Sequence, residues 1–190
     1  MKITFRDRPI IFIDLEASGL HKDSYPIEVG WCADDERAPE SFLIRPAIHW
    51  RPIGFSQQAF QVHGISWDTL FADGIATRAA CDQLASAWAN AILVTDNPHW
   101  DGKWLKRLYE AADHDYPWRL SDINVIASAL AITHKVAPEN LAEIELTIQR
   151  RYKAPHRAGP DALRLARLAR VSARPRRRTC WRFTRFPLGN

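Results

Sequence analysis

The amino-acid sequence predicts an α/β fold, a mixed β-sheet flanked by α-helices. Three observations predict it. Three β-rich segments follow one another at short spacing near the N-terminus. From residue 77 onward helical patterns take over and alternate with a further strand. The composition of the 190-residue chain, 46% hydrophobic and 25% charged, is that of a globular body with one core.

Taken in order, Pro9 to Leu15 is a short, nearly all-apolar run, as expected of a strand buried on both faces. Tyr25 to Ala33 is β-rich, and Ser41 to Arg45 is a third strand; short connections make the three an antiparallel meander. Thr77 to Asn90 reads as a helix, Ala91 to Thr95 as a strand and Pro98 to Ala112 as a helix, with Asn97 as N-cap and Pro98 at the first helical position. Further helices are expected over Asp122 to Ala131, Glu139 to Arg151 and Pro160 to Val171. From Ser172 the helical pattern stops at the basic breaker Arg174-Pro175-Arg176-Arg177-Arg178. The expectation is one domain over residues 1–171 and a weakly ordered basic tail over 172–190.

Several function classes are excluded. The longest apolar runs, such as Ile10 to Ile13, fall far below the roughly 18 residues of a membrane span. Three scattered cysteines, Cys32, Cys81 and Cys180, make neither a disulfide framework nor a Cys-rich zinc site. Mixed charge directly after Met1-Lys2 leaves no secretory pattern, so a cytoplasmic protein without a membrane partner is expected. Charge is asymmetric. Up to Gln149 there are 13 Lys or Arg against 21 Asp or Glu, whereas from Arg150 on there are 13 against Asp161 alone. An acidic body with a basic end suits a polyanion partner; a solvated basic tail is the plainer alternative.

Three segments carry candidate chemistry. In Ile13-Asp14-Leu15-Glu16, side chains two apart on a strand share a face, so two carboxylates stand together at the end of a buried run. A hard divalent cation offsets both charges; otherwise the strand simply emerges into water there. In Asp96-Asn97-Pro98-His99-Trp100-Asp101, Asp101 shares a helix face with Trp104, Leu105 and Leu108. Taken alone it reads as a first-turn helix acid. In the third segment, Asp161 lies in the first turn of a helix and faces inward with Leu165 and Leu168, and His156 precedes it by five residues in a loop. A loop histidine can take a proton from a bound water, although a lone one is more often an ordinary loop residue.

The order and spacing of these segments resemble the DEDDh family of 3′–5′ exonucleases, the DnaQ-like group of polymerase proofreading subunits, oligoribonuclease and ribonuclease T. The acid-x-acid motif is met by Asp14 and Glu16, the second motif by Asn97 and Asp101, and the third by His156 and Asp161. Val62-His63-Gly64-Ile65-Ser66 is similar to a His-Gly-Ile segment of that family. The sister subclass carries Tyr where this chain has Arg157, so His156 places the resemblance in the His subclass. It covers Ile10 to Val171. Family members often carry Thr where this chain has Ala17, and His where it has Asp96.

The resemblance implies an RNase H-like fold and a metal-dependent 3′–5′ exonuclease. It implies two Mg²⁺ or Mn²⁺ ions held by Asp14, Glu16, Asp101 and Asp161, with His156 as general base. Nucleoside 5′-monophosphates would leave the free 3′ end of single-stranded DNA or RNA. It places Ala17, Leu20, Phe60, His63 and Asn97 at the substrate, and Trp100 is the tryptophan expected nearest the site. A homodimer is implied as an option by its dimeric members. The competing expectation is a catalytically weak nucleic-acid-binding or polymerase-associated module of the same fold.

Overall fold

A computed structural model of the chain describes residues 4–5, 8–33, 38–133, 146, 150 and 156–172. Its strands are β1 (Thr4–Phe5), β2 (Arg8–Ala17), β3 (Pro26–Cys32), β4 (Glu40–Leu43), β5 (Ile92–Thr95) and β6 (Leu120–Asp122). Five form a sheet in the order β4-β3-β2-β5-β6, and β1 pairs with the start of β2. The meander β2-β3-β4 is antiparallel, as its short connections require. β5 and β6 join in parallel, so the sheet is mixed.

β2 is the centre of the sheet, and its alternation explains both the core and the site. Ile11, Ile13, Leu15 and Ala17 enter the larger core cluster. Ile10 and Phe12 enter a second cluster on the opposite face. Burying each such Ile or Phe contributes roughly 1.5–3 kcal/mol relative to leaving it exposed. The period of two carries the second face onward to Asp14 and Glu16.

The helices divide between those faces. α1 (Gln57–His63), α2 (Trp67–Asp73), α3 (Thr77–Ala87) and α4 (Pro98–Ala111) precede β6, and α5 (Ile123–Thr133) and α6 (Ala158–Ser172) follow it. The larger core takes Leu84 of α3 and Trp104, Leu105 and Leu108 of α4. The smaller takes Ile123 of α5 and Ala162, Leu165 and Ala169 of α6. α6 packs directly on β2 and β3. Gly30 permits this: a Cβ there would stand 2.2 Å from the backbone of Ala158 and Gly159. No helix among the described residues is long and apolar enough to cross a membrane.

The expected strands and helices that fall on the described residues are present with shifted ends. The helix from Thr77 stops at Ala87, because Trp88 caps it and Asn90 takes a positive φ of 58°. Residues 48–73, unassigned from the sequence, hold a 3₁₀ helix (Ile48–Ile53) and the two seven-residue helices α1 and α2. Two turns are too few for a 3.6-residue period to stand out. Their Ser caps were the available signal: Ser56 accepts from the Ala59 amide and Ser66 from the Thr69 amide. The helix expected over Glu139–Arg151 lies outside the described residues except at positions 146 and 150, both helical. The tail beyond Ser172 also lies outside them.

Candidate active site

The site forms where the second face of β2 meets the first turn of α6. Asp14 and Glu16 follow Ile10 and Phe12 on that face. Asp161, 4% exposed, faces them from α6. Glu16, His156 and Asp161 each bring one ligand-type atom within 4.8 Å of the others. Asp14 and Asp101 lie outside that group of three and interact with each other electrostatically.

Each acid is held away from its ordinary ionisation. Burial pushes the Asp14 carboxyl well above the usual range, and Asp101, Glu16, Asp161 and Asp96 push it further. Glu16 is pushed up to about 8 by burial and then by Asp161 and Glu28, against a downward pull from Arg157. Asp101 is pushed up to about 8, chiefly by burial; the Thr95 hydroxyl, which donates to Asp101 Oδ2, works the other way. Asp161 is raised by burial and moderated by Arg164, which lies 3.5 Å from Oδ1 and pairs with Asp96 at 2.9 Å.

These residues fit a divalent cation. Two carboxylates and an imidazole converge on one volume, and the buried Asp161 Oδ1 accepts no hydrogen bond. A third carboxylate, Asp14, is on the same strand face. Oxygen-rich donor sets of this kind suit hard ions such as Mg²⁺ or Mn²⁺.

Beside the cluster lies a cavity of about 320 Å³. Glu16 and His156 form its acidic end, and Leu15, Ala17, Leu20, Ala59, Val62 and Trp104 its apolar wall. Its rim is tied together by backbone bonds. The Ser18 amide donates to Tyr25 O at 2.9 Å, and the Ser56 amide to Ser18 O at 2.8 Å. From α4, Trp104 Nε1 donates to Ser24 Oγ at 2.9 Å and Lys103 Nζ to His21 O at 3.0 Å. His63 closes α1 against the cavity. Its Nδ1 accepts from the Ile65 amide at 3.0 Å, and burial lowers its pKa. The neutral ring therefore carries its proton on Nε2, which is buried without a partner.

Of the residues expected at the substrate, Ala17, Leu20 and His63 line this cavity. Phe60 lies on α1, partly exposed, between the lining residues Ala59 and Val62. Asn97 caps α4, its side chain accepting from the Trp100 amide at 3.5 Å. Trp104, not Trp100, forms the cavity wall, and the Trp100 ring packs 5.5 Å from it with Lys103 over its face. Sequence reasoning missed Thr95, Arg164 and Glu28. Glu28 alone had a local signal, a single acid inside the apolar run Ile27-Glu28-Val29.

No protein-family model matches the chain, and no curated protein matches it. Among solved structures the chain is similar to E. coli exonuclease I. With the complex of that enzyme with a dA16 oligonucleotide the TM-score is 0.64 at 17% identity, over 86% of this chain and 41% of that one. With the dT13 complex the values are 0.61, 18%, 86% and 40%. With the zinc-bound form in complex with single-stranded DNA they are 0.61, 19%, 86% and 39%. The chain thus spans about two fifths of the length of those structures. At this identity the likeness is one of fold: the mixed sheet with its helical layers is the RNase H-like architecture of those exonucleases.

Proposed function

We propose that the chain is a metal-dependent 3′–5′ exonuclease of the His subclass named above, releasing nucleoside 5′-monophosphates from single-stranded DNA or RNA. The observation that carries this reading is the convergence of Glu16, His156 and Asp161 within 4.8 Å at the mouth of an apolar cavity of nucleotide size. The exonuclease I neighbours, solved with oligonucleotides, support it by fold.

Asp14, Glu16 and Asp161 would hold Mg²⁺ or Mn²⁺, with Asp101 contributing charge behind them. Bound divalent ions supply the positive charge that a phosphoryl transfer needs at its attacking and leaving oxygens. The chain's own residues do the rest. The apolar wall from Leu15 to Trp104 takes the terminal base by stacking and burial, without reading its edge. His63 Nε2–H, a buried donor without a partner, offers a hydrogen bond to the sugar-phosphate. His156 is exposed at the acidic end and takes the proton of the attacking water. The water oxygen bonds to phosphorus and the P–O3′ bond to the penultimate nucleotide breaks. That 3′ oxygen leaves protonated from solvent.

The test is a panel of 5′-labelled DNA and RNA oligonucleotides, single- and double-stranded, with Mg²⁺, Mn²⁺ or EDTA. A ladder shortening from the 3′ end, abolished by EDTA, is expected. Intact oligonucleotides in both metals would overturn the reading and leave a binding module of this fold.

A further inference from the structure

Glu28 is the acid within β3, and it is 1% exposed. In the β2–β3 register it stands directly opposite Glu16. Like charges facing each other across strands destabilise a sheet, and a buried carboxylate without partners costs more still. Three donors answer it. Arg157 Nε reaches Oε2 at 2.9 Å, Arg157 Nη2 reaches Oε1 at 2.8 Å, and the Ala158 amide reaches Oε2 at 3.1 Å. This is a two-pronged guanidinium–carboxylate pair, the geometry that fixes direction as well as distance.

All three donors belong to the two residues that follow His156. His156 has a φ of 51°, in the left-handed region that a non-glycine residue occupies at a cost. Such a conformation persists where its surroundings over-determine it. The ring is exposed, so packing does not orient it. The neighbouring bonds do: they tie the chain just after His156 to a strand 129 residues away.

We propose that Glu28 and Arg157 are positioning residues, a clamp anchored on the buried Glu28 carboxylate that holds His156 in its left-handed conformation and keeps its imidazole within reach of Glu16 and Asp161. The catalytic consequence rests on the exonuclease reading above; the geometric one does not. A misplaced base loses rate rather than affinity, because the substrate is bound by other residues.

The experiment uses the full chain with isotope-labelled histidine. Two variants are compared with wild type: Arg157→Lys, which keeps the charge and loses the fork, and Glu28→Gln/Arg157→Gln, which leaves no unpaired buried charge. In the metal-free protein both variants should broaden or split the His156 ring resonances and leave those of His114, which sits beside Asp82, in place. In Mn²⁺, kcat should fall about 10–100-fold with KM within about twofold. Unmoved His156 resonances in either folded variant would overturn the proposal, as would a loss of kcat that merely follows the folded fraction. If wild type shortens no oligonucleotide, the exonuclease reading fails and the ring resonances alone decide whether the clamp positions His156.

Discussion

The charges that bear on Asp14 are all acids: Asp101, Glu16, Asp161 and Asp96 each push its carboxyl up. Its ionised form is therefore unfavourable until a cation arrives. Asp14→Asn removes the charge and keeps the shape. In EDTA its Tm should rise by roughly 2–4 °C, the shift that about 1 kcal/mol produces in a chain of this length. Nuclease activity should fall by about 100-fold or more, since even the outer partners of metal ligands are worth 10–100-fold. A variant as active as wild type in Mg²⁺ would remove Asp14 from the site. His156→Ala is its complement. It should lower kcat by roughly 100-fold and leave KM nearly unchanged, as the loss of a general base does. Steady-state release of nucleoside monophosphate measures both.

At the scale of elements, the seating of α6 on β3 decides whether the site exists, because His156 lies just before α6, Asp161 lies in its first turn, and the acids of β2 belong to the sheet. Gly30→Ala places a methyl group 2.2 Å from the backbone of Ala158 and Gly159, where no flexible side chain can yield. The substitution should cost about 1–3 kcal/mol in denaturant unfolding and depress activity beyond the loss of folded protein. Unaltered stability would mean that α6 sits further from the sheet. The sequence made β2 and its acids legible, because an apolar run with a period of two shows where it turns polar. It made α4 legible through Asn97 and Pro98. α1, α2 and the three-residue β6 left no period to read. The Glu28–Arg157 pair was illegible for another reason: partners 129 residues apart meet only through the fold.

For the whole molecule, the carboxylates link stability to pH and to metal. Glu16 rises from 4.5 to about 8 and Asp101 from 3.8 to about 8 on folding. Between about pH 4 and 8 the folded protein holds protons that the unfolded chain has released. The stability they contribute is fully present below about pH 4 and is lost as pH rises through 8. Metal-free protein should therefore melt at a lower temperature at pH 8 than at pH 5. Mg²⁺ held at the proposed site would bind the ionised folded state, so it should raise Tm more at pH 8 and narrow the difference. Calorimetry at both values, with EDTA and with Mg²⁺, checks this; equal Tm values without metal would mean the acids are solvated.

Among the described residues the two cores flanking β2 are unequal, and the site straddles that inequality. β2 is anchored by both clusters, whereas α6 is held by the smaller one, rich in alanine. Parts of a protein held by less apolar area open sub-globally before the rest. The proposed site would thus be a contact between a slow-exchanging half and a fast-exchanging half. In native-state hydrogen exchange, α6 amides should lose protection at lower denaturant than those of β2 and α4. Such an opening carries Asp161 and His156 away from Glu16 while the sheet stays folded. A bound divalent ion would then act as a rivet, slowing exchange in α6 while the amides of α4 keep their rate.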